Sequence, residues 1–486
     1  MNDSALSSLG EQITLHSPIV VAGFYNPLTA AAGLGTVMRA IAPKITQLHV
    51  VCIENNAPRC YQHPETSHWV HPLSINEALI QAYHRSFCKG YLSHMLHEEA
   101  PDVAGVDPAM ASGIEEFSRC YVRHLLAVLS TVTPKPIVWF NDYAMIPVLK
   151  EFLTSAPERW PVAISIRSSF GITCAPQVDT YTQNLVLKAL LGADFVSFHR
   201  QRDVYHFLDM VRIHAPTASI DWTNRTVKSK NQTLQVGAVP MGASADHWRE
   251  AGASTTAMQI AESIAREAKG TAIILSVSRL ERHKAINFEL DVIERLLTYF
   301  PQLCRRVCFI RITPLYPECT TETRYIDLKA KLEARAAGLN QLFGDKDWQP
   351  VKLLSGRSLS HEELAGYYRA ASAVLVLSSA DGFNHVSIES VLSKHRGDPP
   401  LALLLSDTGS SDYLGASFIQ AGSKSAVDVA LSLGRVLEAG RNERIRLHES
   451  LLAAASSLSV TDWMYKILGA VAHTHERNTF PSRVET

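Results

Sequence analysis

Short, almost wholly apolar runs alternate with helical patterns along nearly the entire chain, and this alternation restricts the fold more than any other feature. "SPIVVAGFY", "QLHVVCIE", "KPIVWFND", "PVAISIR", "ADFVSFH" and "LQVGAVPMG" read as strands. A second series comes after them: "TAIILSVSRL", "RRVCFIRIT", "VKLLSG", "ASAVLVLSS", "PLALLLSD" and "ASFIQA". Between strands lie segments such as "IEEFSRCYVRHLLAVLSTV", whose apolar residues recur at the spacing of one helix face. A half-solvated strand alternates apolar and polar residues, whereas a strand apolar throughout is covered on both sides. Strands of that kind separated by helices predict parallel sheets in an α/β protein. A chain of 486 residues is too long for one ordinary core. The polar-to-helical stretch 246–268 parts the two series. The expected organisation is therefore two doubly wound domains, 1–245 and 246–460, with a helix and tail at 461–486 that pack back toward the first domain.

The formal net charge of -1 argues against a broad nucleic-acid or membrane-surface role, while leaving room for a local basic pocket. No apolar run reaches the length of a membrane span. The N-terminal "MNDSALSSLGEQITLHSP" has neither the basic start nor the apolar centre of a signal peptide. The reading is a cytoplasmic protein with small-molecule partners and neither nucleic acid nor membrane among them; homo-oligomerisation is left open. None of the 8 cysteines falls in a CxxC pair, and Cys304 and Cys308 lack the second pair a zinc site needs. His94 and His97 in "HMLHEE" have no third ligand, so no metal is expected.

In doubly wound sheets, ligands bind beyond the carboxyl ends of the strands, so residues just after strands carry the functional information. Four such junctions stand out. In "AAAGLGTV", Gly33 and Gly35 permit close approach of a ligand to the backbone ahead of a helix, or simply form a tight turn. In "VWFNDYAMIP", Asp142 either faces a ligand or caps the next helix. In "LSVSRLERHKAINFE", Arg279 and Lys284 suit a pyrophosphate whose charge grows as a bond to it breaks. Arg282 and His283 beside them make a solvated basic loop the competing reading. In "SSADGFNHVSIES", Asp381 sits in a loop, Gly382 permits a turn, Asn384 and His385 open a helix, and Glu389 lies a turn inside. An anion would find backbone amides and a positive helix end there, with Asp381 on sugar hydroxyls and Glu389 on a ribose diol. The competing reading is a capped core helix with an early glutamate.

Taken together, the junctions resemble the trehalose-6-phosphate synthase family, glycosyltransferase family 20, over about residues 18–470. "SRLERHK" is similar to the family's R-L-D-Y-x-K, "ADGFNHVSIE" to its R-D-G-M-N-L-V-x-x-E, and "FNDYAMIP" to its H-D-Y-H-L-x-P. "VGAVPMGASADHW" and "SDTGSSDYLG" are similar to further family segments. The resemblance implies a GT-B fold, two Rossmann-like domains facing across a cleft. It implies a retaining, metal-free transfer of a sugar from a UDP-, GDP- or ADP-linked donor, with no separate cofactor. Arg279, Lys284 and Asp142 take the catalytic positions. Gly33, Asp381, Gly382, Phe383, Asn384, His385 and Glu389 take the donor positions. His84, Arg85, Tyr143 and Arg167 are assigned to the acceptor side.

The departures bear chiefly on the acceptor. The family's V-S-N-R becomes "VVAGFYN", without arginine. Its Y-x-x-F-S-N-x-x-L-W-P becomes "AYHRSFCKGYLSHMLH", and its I-A-x-P-S-R becomes "ITPLYPE"; on the donor side its H-I-P-F-P becomes "SIRSSFG", losing the histidine that the resemblance places on the donor sugar. The donor-phosphate set stays while the acceptor-phosphate set does not, so the expected acceptor differs from glucose 6-phosphate, with Arg85, Lys89 and Arg167 as candidates to rebuild an anion site. Two other readings stand beside this one. One is a pseudo-glycosyltransferase joining a cyclitol, as validoxylamine-phosphate synthases do. The other is a non-catalytic paralogue that binds nucleotide sugars.

Overall fold

The computed structural model describes residues 2–29, 34–66, 68–172, 178–230, 232–268, 270–314, 323–356, 358–422 and 424–479. Contacts divide the chain into two compact units, Met1–Met241 together with Val460–Thr486, and Gly242–Ser459.

The first unit is built on β1 (Ile19–Ala22), β2 (Leu48–Ile53), β3 (Tyr61–Gln62), β4 (Trp69–Leu73), β5 (Ile137–Asn141), β6 (Val162–Ser165), β7 (Phe195–Phe198), β8 (Ser219–Asp221), β9 (Thr226–Ser229) and β10 (Gln232–Ala238). They form one sheet in the order β3-β4-β2-β1-β5-β6-β7-β10-β9-β8. The centre is parallel, and β1, β5, β6 and β7 are buried along their whole length. That is the burial expected of uninterrupted apolar runs. The edges differ from the all-parallel expectation: β3 on β4, and β8 on β9 on β10, are antiparallel. β3, β8 and β9 are short and polar, and β4 contains Pro72, so none of these four has the apolar run that marks a central strand.

The second unit carries β11 (Ala272–Val277), β12 (Val307–Thr313), β13 (Val351–Ser355), β14 (Ala371–Val376), β15 (Ala402–Leu405) and β16 (Ile419–Gln420). All neighbours are parallel, in the order β13-β12-β11-β14-β15-β16. This is the strand order of a dinucleotide-binding fold, and its direction reverses between β11 and β14. In the first unit the reversal falls between β1 and β5. Ligand-binding crevices open at such points because the helices after the two strands leave on opposite faces of the sheet.

The last helix, Val460–Thr479, completes the first unit. Trp463 is buried against Trp139 of β5, with ring centroids 5.1 Å apart. At its far end, His475 and Asn478 reach the buried Asp194 carboxylate at 3.1 and 2.9 Å, where Arg159 also binds at 2.6 Å. The helix crosses Asp3–His16 through two glycines. A Cβ on Gly469 would lie 2.0 Å from the Leu6 carbonyl oxygen, and one on Gly10 would lie 1.9 Å from that of Tyr465. Alanine is worth up to about 1 kcal/mol over glycine in a free helix. Here backbone meets backbone, so the clash outweighs propensity. Gly469→Ala is expected to lower stability by about 1–3 kcal/mol, read as a fall in melting temperature; an unchanged or higher value would mean that the helices can separate without loss.

Candidate active site

Arg279 and Lys284 lie on the loop between β11 and the helix Ile286–Tyr299. Asp381 lies on the loop between β14 and the helix Val386–Leu392. The sheet order makes these loops neighbours, and side chains lace them together. Lys284 Nζ donates to Asp381 Oδ2 at 2.6 Å, with both side chains largely buried. The Ser379 amide donates to the His283 carbonyl at 2.7 Å. Ser378 Oγ and Asn384 Nδ2 donate to Asp381 Oδ2 at 3.2 and 2.8 Å. Burial alone raises the Asp381 carboxyl, but Lys284, His283 and the Asn384 amide hold it well below the usual carboxylate range. Arg279, more exposed, contacts Glu281 at 3.2 Å, and Glu281 Oε2 lies the same distance from His283 Nε2.

The geometry of the 381–389 segment differs in three ways from the sequence reading. The left-handed residue is Asn384 (φ 66°), not Gly382. Asparagine tolerates that region, and its amide on Asp381 holds it there. His385 is the cap rather than a helical residue, and the helix Val386–Leu392 has 7 residues. So short a helix contributes little macrodipole, and positive charge comes chiefly from side chains. Phe383 is held from behind: its carbonyl accepts the Ser410 amide at 3.0 Å, and Gly409 approaches so closely that a Cβ there would sit 1.7 Å from the Gly382 oxygen. Glu389 is buried in the first helical turn and accepts the Tyr368 hydroxyl at 3.4 Å. Burial pushes its carboxyl up to about 8.

In the first unit, Asp142 comes directly after β5 and faces Arg167, which lies just beyond β6. Arg167 Nη2 lies 2.9 Å from Asp142 Oδ2, and the Arg167 amide donates to Oδ1 at 3.2 Å. Asp142 also accepts the Tyr143 amide at 2.8 Å, so it caps the turn Tyr143–Met145 as well as meeting Arg167. Its backbone (φ 72°, ψ 168°) lies in a region normally restricted to glycine. After β1, Phe24 stacks on His84 with centroids 3.8 Å apart, and Tyr25 meets both rings edge-on. His84 lies in the π-helical segment Gln81–Leu92. Burial, with Lys89 and Arg85 nearby, lowers its pKa to about 3, so it is neutral, and its ring packs on Phe24 in the interior. Arg85 is exposed and bound to Glu77 at 2.7 Å and to Gln81 at 3.1 Å, partners on its own helical stretch. Tyr143 is buried. Gly33 lies outside the described residues. Among the described residues no group of three or more His, Cys, Asp or Glu is arranged to hold a metal, and no helix is long and apolar enough to cross a membrane.

Sequence reasoning missed Glu281, Ser379, Tyr25 and the Arg167 amide. Glu281 lies inside "SRLERHK" and was legible by position. The others depend on which strands are neighbours.

The profile of the family described as Glycosyltransferase family 20 matches residues 32–473, and the chain belongs to that family. It is a glycosyltransferase of the trehalose-phosphate-synthase kind. The alpha,alpha-trehalose-phosphate synthase (UDP-forming) 2 of Aspergillus niger is 25% identical over 354 residues, 71% of this chain and 69% of that protein. Synthase A of Dictyostelium discoideum is 24% identical over 400 residues, 81% of this chain but 52% of the longer relative. A UDP-forming trehalose-phosphate synthase from Burkholderia xenovorans superposes with a TM-score of 0.83 at 20% identity, covering 94% of this chain and 99% of that one. The Escherichia coli trehalose-6-phosphate enzyme bound with UDP-2-fluoro glucose gives 0.81 at 20% identity, covering 92% and 97%. These structural likenesses establish the GT-B fold, two Rossmann-like units.

Folded Glu389 keeps its proton up to about pH 8, whereas the unfolded chain releases it near 4.5. Its contribution to stability therefore declines as pH rises through that window. Glu389→Gln carries no such proton and should gain roughly 2–4 kcal/mol relative to the parent between about pH 5 and pH 8 in paired melts; a gap that stays constant with pH would refute the raised carboxyl. Asp142→Gly relieves about 1–3 kcal/mol of backbone strain while removing the partner of Arg167. Melting temperature should hold within a few degrees while turnover falls by about two orders of magnitude; an active variant would leave Asp142 as a cap alone.

Proposed function

We propose that this chain transfers a sugar with retention from a nucleoside-diphosphate sugar, held by the second unit, to a small acceptor held by the first. The observation that carries the reading is the lacing of the two loops at the β11/β14 reversal, which brings Lys284 onto Asp381 at 2.6 Å. A diphosphate arriving there competes with Asp381 for Lys284 and brings Arg279 a second anionic partner. As the glycosidic bond breaks, negative charge collects on the phosphate, and two nearby cations stabilise it more in the transition state than in the ground state. Asp381 is then released toward the sugar hydroxyls. Glu389, protonated near neutral pH, both donates to and accepts from a ribose diol. The Asp381 and Asp142 carboxylates are engaged by Lys284 and Arg167. Asp142 stays paired with Arg167, and Asp381 once released is directed at hydroxyls rather than at the anomeric carbon, which supports attack by the acceptor on the face from which the phosphate leaves, with the departing phosphate taking the acceptor's proton. UDP is the first choice of nucleotide, because the Aspergillus niger and Dictyostelium discoideum relatives are UDP-forming.

The acceptor surface supports a partner other than glucose 6-phosphate. Of the rings of Phe24, Tyr25 and His84, Tyr25 is exposed, while Phe24 and a neutral His84 are buried behind it, so this side offers an aromatic ring rather than a charge. Arg167 is the cation beside Asp142 and is already paired with it. An uncharged polyol ring fits such a setting, its C–H face on Tyr25 and its hydroxyls toward Asp142. Release of nucleotide from UDP-, GDP- and ADP-sugars is to be measured across phosphorylated and unphosphorylated sugar and cyclitol acceptors, with product identified by mass spectrometry. Arg279→Ala and Lys284→Ala should each lower kcat/KM by roughly two to three orders of magnitude, about 3–4 kcal/mol of transition-state stabilisation. Unchanged turnover in both would overturn the assignment. A clear preference for glucose 6-phosphate would overturn the acceptor reading alone.

A further inference from the structure

Beneath the loop that carries Arg279 and Lys284 lies a buried ionic network that the transfer chemistry does not itself use. Arg311, at the centre of β12, is 1% exposed, and Glu289, in the first turn of Ile286–Tyr299, is 2% exposed. Arg311 Nη1 lies 2.9 Å from Glu289 Oε2 and donates to Ser276 Oγ at 2.5 Å, and Ser276 Oγ donates to Glu289 Oε1 at 2.7 Å. The other fork of the guanidinium, Nη2, donates to Ser278 Oγ at 2.6 Å, and that hydroxyl donates to the Arg279 carbonyl at 3.2 Å. Arg311 Nε has no hydrogen-bond partner, and Glu289 Oε2 meets Arg311 as an ion pair alone, so the network does not satisfy itself fully. Hydrophobic side chains of similar volume would serve a core as well as an isolated buried pair, or better.

What the pair does is hold both ends of one loop. Through Ser278 it grips the residue before Arg279. Through Glu289 it grips the helix that begins directly after Lys284, where the Glu289 amide bonds to the Ala285 carbonyl at 3.2 Å. Ala285 itself has φ 50° and ψ 40°, a left-handed conformation without glycine's freedom. A turn of that kind persists only where its surroundings hold it. The network meets that condition, since β11 supplies Ser276, β12 supplies Arg311 and the helix supplies Glu289.

We infer that Arg311 and Glu289, acting through Ser278, are positioning residues that set where Arg279 and Lys284 present their charges to a diphosphate. This rests on the proposal that the second unit holds the donor. The experiment compares UDP with UMP, which lacks the terminal phosphate, by calorimetric titration of the full chain, alongside melting temperature. Ser278→Ala removes only the link, and Arg311→Lys keeps the charge but loses the fork. Each is expected to weaken UDP by roughly tenfold while changing UMP far less, with the melting temperature nearly retained. Ser278→Thr, which keeps the hydroxyl, should restore UDP affinity. Arg279→Ala is the control for the donor reading. If it leaves UDP affinity unchanged, the loop does not bind the diphosphate, and both readings fall. If it weakens UDP while Ser278→Ala and Arg311→Lys bind like the parent, the donor reading stands and the brace is overturned. Equal loss of UDP and UMP with a lowered melting temperature also overturns it, because the network would then serve stability alone.

Discussion

The ion pair between Lys284 and Asp381 is the constraint around which the second unit's candidate site is organised. Two charges removed from water lose hydration that their attraction only roughly repays, so the pair adds little net stability. Its value is geometric. It ties the loop after β11 to the loop after β14 across the strand reversal, and the Ser379–His283 hydrogen bond doubles the tie. The Arg311–Glu289 pair below it works on the same loop from the core side. A loop held from two directions presents its cations at defined positions, which is the condition for electrostatic stabilisation without reorganisation.

The first unit uses the same topology with different chemistry. Its reversal lies between β1 and β5, and the loops leaving those two strands carry the aromatic pair Phe24–Tyr25 and a strained aspartate. Asp142 tolerates its unfavourable backbone because Arg167 and the Tyr143 amide hold its carboxylate in place. Such a conformation persists only where its surroundings hold it. The two units thus differ in what their post-strand loops carry: cations in the second, and stacked rings with a paired aspartate in the first.

Much of the architecture was legible because the physics behind it is local. An apolar run such as "AIILSV" or "ASAVLV" can be satisfied only by cover on both faces, and both became central parallel strands. The polar edge strands carried no such signal. Tyr61–Gln62 and Ser219–Asp221 are half in solvent, and backbone pairing with a neighbour, rather than burial, makes them strands. At the site, "SRLERHK" and "ADGFNH" were recognisable as post-strand loops. That Asn384 rather than Gly382 takes the left-handed turn was not recognisable. The choice depends on the Asn384 amide reaching Asp381, while glycine's permissiveness only makes a turn possible.

By itself the sequence determined the class of fold, the places where loops leave strands, and the residue types available there. These come from period, run length and composition, which act over a few neighbouring residues. Only the tertiary structure decided the partners: Lys284 with Asp381, Asp142 with Arg167, and Arg311 with both Glu289 and Ser278. Each joins residues carried by different strands, by the loops that follow them, or by a helix, and strand order is settled by the packing of the whole sheet. Side-chain charge is written in the sequence. Whether that charge meets an opposite one, a hydroxyl or a ligand depends on what the folded sheet brings within about 3 Å of it.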